Sequence, residues 1–94
     1  MRISKLQSIF VRFFKEGYTS DWVVKEIEKI KDKNKITPKL IEDTLNKVCD
    51  LAEKYPYQYQ LDGVASNNPN WYRDLAGALN NKFSTNLKYN GQLI

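Results

Sequence analysis

A mainly α-helical fold, four helices with a short strand-like segment and a C-terminal β-hairpin, is what this sequence predicts. Apolar residues recur at three- and four-residue steps in four separate stretches, the spacing that lines one face of a helix. Thr19, Thr37 and Asn68 stand where helix caps belong at the starts of three of them. Strand-like alternation is confined to "YQYQL" and to the tail around Asn90-Gly91. Should those two extended pieces pair, the fold becomes a small α+β one by a narrow margin.

The first helix is expected over residues 2–16. Ile3, Leu6, Ile9, Phe10, Phe13 and Phe14 share one face, with Lys5, Ser8, Arg12 and Lys15 opposite and Val11 off the stripe. Gly17 stands where a helix ends in a left-handed residue. The second helix follows at once, capped by Thr19, with Asp21 at its positive start and Tyr18 placed to staple onto Val23. Val23, Ile27 and Ile30 form its buried face, with Trp22 and Val24 on the margins, and it dissolves in the charged connector "KDKNK". "EGYTSDWVVKEI" has the helix-turn-helix rhythm of glycine, cap and apolar triplet, which any two helices joined by a tight corner share.

Thr37 caps the third helix, Pro38 takes its first position, and Ile36 can staple onto Ile41. Leu40, Ile41, Leu45, Val48, Cys49, Leu51, Ala52 and Tyr55 fill half its wheel. Pro56 stops it, "YQYQL" alternates large and polar residues, and "ASNNPN" reads as a turn cluster. The fourth helix is expected over residues 69–83, with Asn68 as cap and Pro69 first. Asn90-Gly91 between Leu87, Tyr89 and Leu93, Ile94 is the hairpin signal.

Length bounds the rest. The 94 residues make a single compact helical domain, 1–94, large enough to bury a core without disulfides. One cysteine, Cys49, excludes an intrachain disulfide and points to a reducing, cytoplasmic setting. Apolar runs such as "IFV" and "WVV" are too short to span a bilayer, and Arg12 and Lys15 break the stretch that follows Arg2 and Lys5 before it could serve as a signal peptide. No membrane association is expected.

Most enzyme chemistry is excluded by what is missing. The sequence has no histidine, hence no Ser-His or Cys-His pair and no ordinary base at neutral pH. One cysteine makes no CxxC pair, and the glycines at 17, 63, 77 and 91 are isolated, so no phosphate-cradling loop is present. The carboxylates fall on the polar faces of amphipathic helices, where they are read as solvated charge. Neither a cofactor nor a metal is expected.

Binding remains. Net charge is +4, and both ends are basic: Arg2, Lys5, Arg12 and Lys15 precede the first acid, while Arg73, Lys82 and Lys88 face only Asp74 in the last third. In the fourth helix Trp71, Tyr72, Leu75, Ala76, Ala78, Leu79 and Phe83 share one arc of about 160°, leaving Arg73, Asp74, Gly77, Asn80 and Asn81 on the other. A mid-helix glycine costs about 1 kcal/mol against alanine, and at the centre of a polar face it lets a partner approach the backbone. Arginine and asparagine read guanine and adenine edges and reach phosphates. The expectation is a nucleic-acid contact through Arg73, Gly77, Asn80 and Asn81, with Arg2, Lys5, Arg12 and Lys15 on the first helix and Lys88 on a following wing holding phosphates. The alternative is a protein-interaction module (an inhibitor, immunity-type factor or assembly adaptor) with Val11, Trp22 and Tyr57 on its contact surface. The lysines of "KIKDKNKITPK" interleave with acids and are read as a solvated connector, and Tyr55, Tyr57 and Tyr59 as packed on the core. Oligomeric state is not specified by the sequence.

Overall fold

Five helices, and no strand, carry 73% of the residues that the computed structural model describes, which are 4–30 and 36–88. In chain order they are α1 (Ser4–Glu16), α2 (Ser20–Glu28), α3 (Pro38–Lys54), α4 (Leu61–Asn67) and α5 (Trp71–Phe83). α1 packs against α2, α3 and α4, and α5 lies along α2, in a body of 35 × 26 × 19 Å.

The first three helices form as their sequences dictate. Leu6, Ile9, Phe10, Phe13 and Phe14 of α1 are all buried, each contributing roughly 1.5–3 kcal/mol of hydrophobic stabilisation. Gly17 ends α1 with φ +71°, its amide donating to the Phe13 carbonyl at 3.1 Å. Thr19 and Thr37 cap α2 and α3, their hydroxyl oxygens accepting from the amides of Trp22 at 3.2 Å and Leu40 at 3.1 Å. Val24, expected on the margin of α2, is buried because α2 packs against both α1 and α5, and Thr44 of α3 is buried as well. The connector "KDKNK", residues 31–35, lies outside the described residues.

The stretch expected as a strand is not one. After α3 ends at Lys54, local bonds close a turn: the Tyr59 amide donates to Tyr55 O at 3.1 Å and the Leu61 amide to Pro56 O at 2.9 Å. Gln60 takes the left-handed conformation, φ 59°, and α4 begins immediately. A lone five-residue strand has no neighbour to satisfy its backbone groups, whereas a turn followed by a helix satisfies them within the segment. Asp62 and Gly63, which follow "YQYQL", therefore lie inside α4, with Asp62 in its first turn. Tyr59 and Leu61 pack against the core, while Tyr55 and Tyr57, also expected there, are 45% and 87% exposed.

α5 starts two residues later than expected, at Trp71. Asn68 does not cap it. Its side-chain oxygen accepts from the Asn70 amide at 3.1 Å and its side-chain nitrogen donates to Asp74 at 3.0 Å, tying the turn to the helix's first residues. Trp71 is 2% exposed in an aromatic cluster with Phe13, Phe14 and Tyr72, and its indole N–H has no hydrogen-bond partner among the described residues.

The expected C-terminal hairpin likewise finds no strand among the described residues. Ser84 ends α5 in the left-handed conformation, and residues 84–88 run on without strand pairing. They are held by a side chain instead: Asn80 Oδ1 accepts from the Leu87 amide at 2.9 Å and the Thr85 hydroxyl at 2.6 Å, and Asn80 Nδ2 donates to Leu87 O at 3.1 Å. The Asn86 amide donates to Glu42 on α3, and Thr85 and Leu87 are buried. The turn expected at Asn90-Gly91 lies outside the described residues. With no strand in either place, the fold is all-helical among the described residues rather than α+β.

Candidate nucleic-acid interface

Helical spacing places Lys5, Ser8 and Arg12 in one row along α1, at i, i+3 and i+7. α2 packs beside this row, and between them lies a groove of about 260 Å³ lined by Lys5, Ser8, Ile9 and Arg12 on one wall and Glu26, Lys29 and Ile30 on the other. Three cations thus face one carboxylate. Glu26 is paired with Lys29 at 2.9 Å. Among the described residues neither Lys5 nor Arg12 forms an ion pair.

Arg12 is held from the far side. Gly17 turns the chain so that the Tyr18 and Trp22 rings meet at 4.2 Å between centroids with their planes tilted by 39°, and the Arg12 guanidinium lies 5.6 and 5.4 Å from those two centroids. Its Nη2 also makes a long contact of 3.4 Å to the Tyr18 hydroxyl. A cation fixed in this way loses less side-chain entropy on meeting an anion than one on a loose stem.

The expected α5 face is present in part. A Cβ built at Gly77 would meet nothing within 4 Å, so this glycine faces outward and the fold does not require it. Arg73 and Asn81 are exposed beside it. Asn80 is not available to a ligand, because its amide is committed at both ends to residues 85–87. Asp74 sits on the same face, bonded to Asn68.

The two expected halves of the interface do not meet. The rings of Phe13 and Phe14 on α1 pack on Trp71 of α5, 6.1 and 5.0 Å between centroids, so the helices turn apolar faces towards each other and polar faces apart. Lys15 and Lys88 are exposed, and Arg2 lies outside the described residues. Of the candidate protein-contact residues, Val11 and Trp22 are half-buried against the core and Tyr57 is 87% exposed. Val11 is turned roughly 100° around α1 from Arg12, away from the groove beside which Trp22 lies.

The sequence marks Lys29 only among the lysines of "KIKDKNKITPK", Tyr18 only as a staple onto Val23 and Glu26 only as solvated charge, and places none of the three at a binding site. The row on α1 was legible as a polar face, but nothing local reveals that α2 packs beside it.

Elsewhere the chemistry is quiet. Cys49 is buried on α3, and desolvation, helped by the nearby charges of Glu53 and Asp50, pushes its thiol up to about 12. Burial and the neighbouring Cys49 likewise raise the Tyr72 hydroxyl above its ordinary value. No group of three or more potential metal ligands occurs among the described residues. No helix among them is long and apolar enough to cross a membrane.

A scan against models of known families, a search of curated proteins and a search of solved structures each found no match to this chain.

Proposed function

We propose that this chain is a non-enzymatic, nucleic-acid-binding module, acting in the cytoplasm, that holds phosphates along the α1–α2 side. The observation that carries this reading is the groove in which Lys5, Arg12 and Lys29 converge, with Arg12 braced on Tyr18 and Trp22. Lys15 extends the cationic surface along α1. Phosphate binding of this kind releases counterions, so affinity falls steeply with salt.

Titration of oligonucleotides at low and moderate salt, followed by anisotropy, tests it. Lys5→Ala and Arg12→Ala each weaken binding to all sequences alike and reduce the salt slope by about 1. Arg73→Ala, on the far helix, leaves affinity unchanged. No binding to any nucleic acid at low salt removes the reading.

A second reading, a protein-interaction module, is favoured by a different observation: the open backbone at Gly77, flanked by exposed Arg73 and Asn81. Gly77→Ala separates the two. It stabilises the fold by up to about 1 kcal/mol and leaves nucleic-acid affinity unchanged, whereas a partner seated on that face would be lost. Capture from the native cell with and without nuclease shows whether co-purifying material depends on nucleic acid.

A further inference from the structure

Taking the nucleic-acid reading as its basis, we infer that the occupant is a single strand: one phosphate enters the α1–α2 groove and an adjoining base stacks on the platform formed by Tyr18, Trp22 and Arg12. Three observations converge on this.

The cations line a concave slot of about 260 Å³, below the usual size of a small-molecule pocket and on the scale of one nucleotide rather than of a duplex surface. Duplex readout needs a helix that presents donors to base edges. α2, which follows the tight corner at Gly17, exposes Asp21, Lys25 and Glu28, two acids to one base, and is repelled by a groove walled with phosphates. The polar face of α5 offers Arg73 and Asn81 but carries Asp74, and its Asn80 is internally bonded.

Beside the slot, by contrast, is the surface that unpaired bases use. Tyr18 and Trp22 are half-buried, their rings 4.2 Å apart between centroids and tilted by 39°, and the Arg12 guanidinium lies within 5.6 Å of both centroids. Arg12 belongs to both features: it lines the slot and overlies the rings. Stacking on aromatic rings or guanidinium planes is the sequence-tolerant way to hold single-stranded nucleic acid.

The two tryptophans supply the readout. Trp71 is 2% exposed, so a base arriving at the surface quenches Trp22 alone. The full chain is titrated with a 15-residue oligothymidine, an abasic oligomer of the same length and a blunt duplex, following tryptophan fluorescence and anisotropy. Expected are tighter binding of the single strand than of the duplex, quenching by oligothymidine only, and about tenfold weaker binding of the abasic oligomer, roughly the worth of one stacked base. Trp22→Leu abolishes the quench and weakens single-strand binding by a similar factor. Trp22→Phe, which keeps a stacking ring, restores most of the affinity and guards against a folding defect. Duplex binding equal to or tighter than the single strand, without change in Trp22 emission, overturns the inference and leaves the nucleic-acid reading standing. Absence of binding by all three probes overturns both.

Discussion

Asn80 anchors the segment after α5 with one amide group, accepting from Leu87 N–H and the Thr85 hydroxyl and donating to Leu87 O. Its removal strands partly buried donors and acceptors that have no replacement, so Asn80→Ala costs about 2–3 kcal/mol. Asn81→Ala, one residue on and exposed, changes stability by no more than about 0.5 kcal/mol. Urea unfolding of the two variants checks the contrast. Cys49 gives a pH dependence. Its thiol is held at about 12 in the fold against an ordinary 9.0, so above pH 9.0 the unfolded chain releases a proton that the folded chain keeps. Its contribution is fully present below pH 9.0 and is lost as pH rises towards 12, by up to about 1.4 kcal/mol per pH unit. Tyr72, raised for the same reason, acts in the same direction at higher pH. Urea midpoints measured from neutral to alkaline pH decline accordingly, and Cys49→Ala makes the decline shallower.

At the scale of elements, α1 to α3 were legible because a cap or a terminator reinforces the apolar period: Thr19 and Thr37 bond the amides that caps should bond in α2 and α3, and Gly17, ending α1, adopts the torsion that favours glycine. α4 was not legible. It has seven residues, buries only Val64 and contains Gly63, so neither period nor propensity marks it, and a helix so short persists only through its surroundings. Its start depends on Gln60 at φ 59°, a conformation that glycine adopts without strain and glutamine does not. Gln60→Gly therefore raises stability by about 0.5–1 kcal/mol, read as an increase in urea midpoint. The start of α5 was misplaced because Asn68 satisfies its neighbours through a turn and through Asp74 rather than through a cap. Alternation at "YQYQL" does not bring pairing because local turn bonds satisfy that segment, and after α5 the side chain of Asn80 holds Thr85 and Leu87.

For the molecule as a whole, the outward placement of Gly77 was readable from a wheel, but the relation between helices was not. Which polar faces share a side depends on packing among residues far apart in sequence, such as Phe14 against Trp71, and no local pattern encodes it. The same holds for the groove, whose walls come from two helices and whose brace comes from the corner between them. That corner turns on Gly17 at φ +71°, where an added methyl group meets no atom within 4 Å. Gly17→Ala thus carries a purely torsional penalty, about 1 kcal/mol by thermal unfolding. The aperture between the first two helices is consequently adjustable from a position that carries no charge and touches no occupant. Grip can drift there while the complement of lysines and arginines stays constant, so two chains with identical electrostatic footprints could differ in avidity through a single backbone angle.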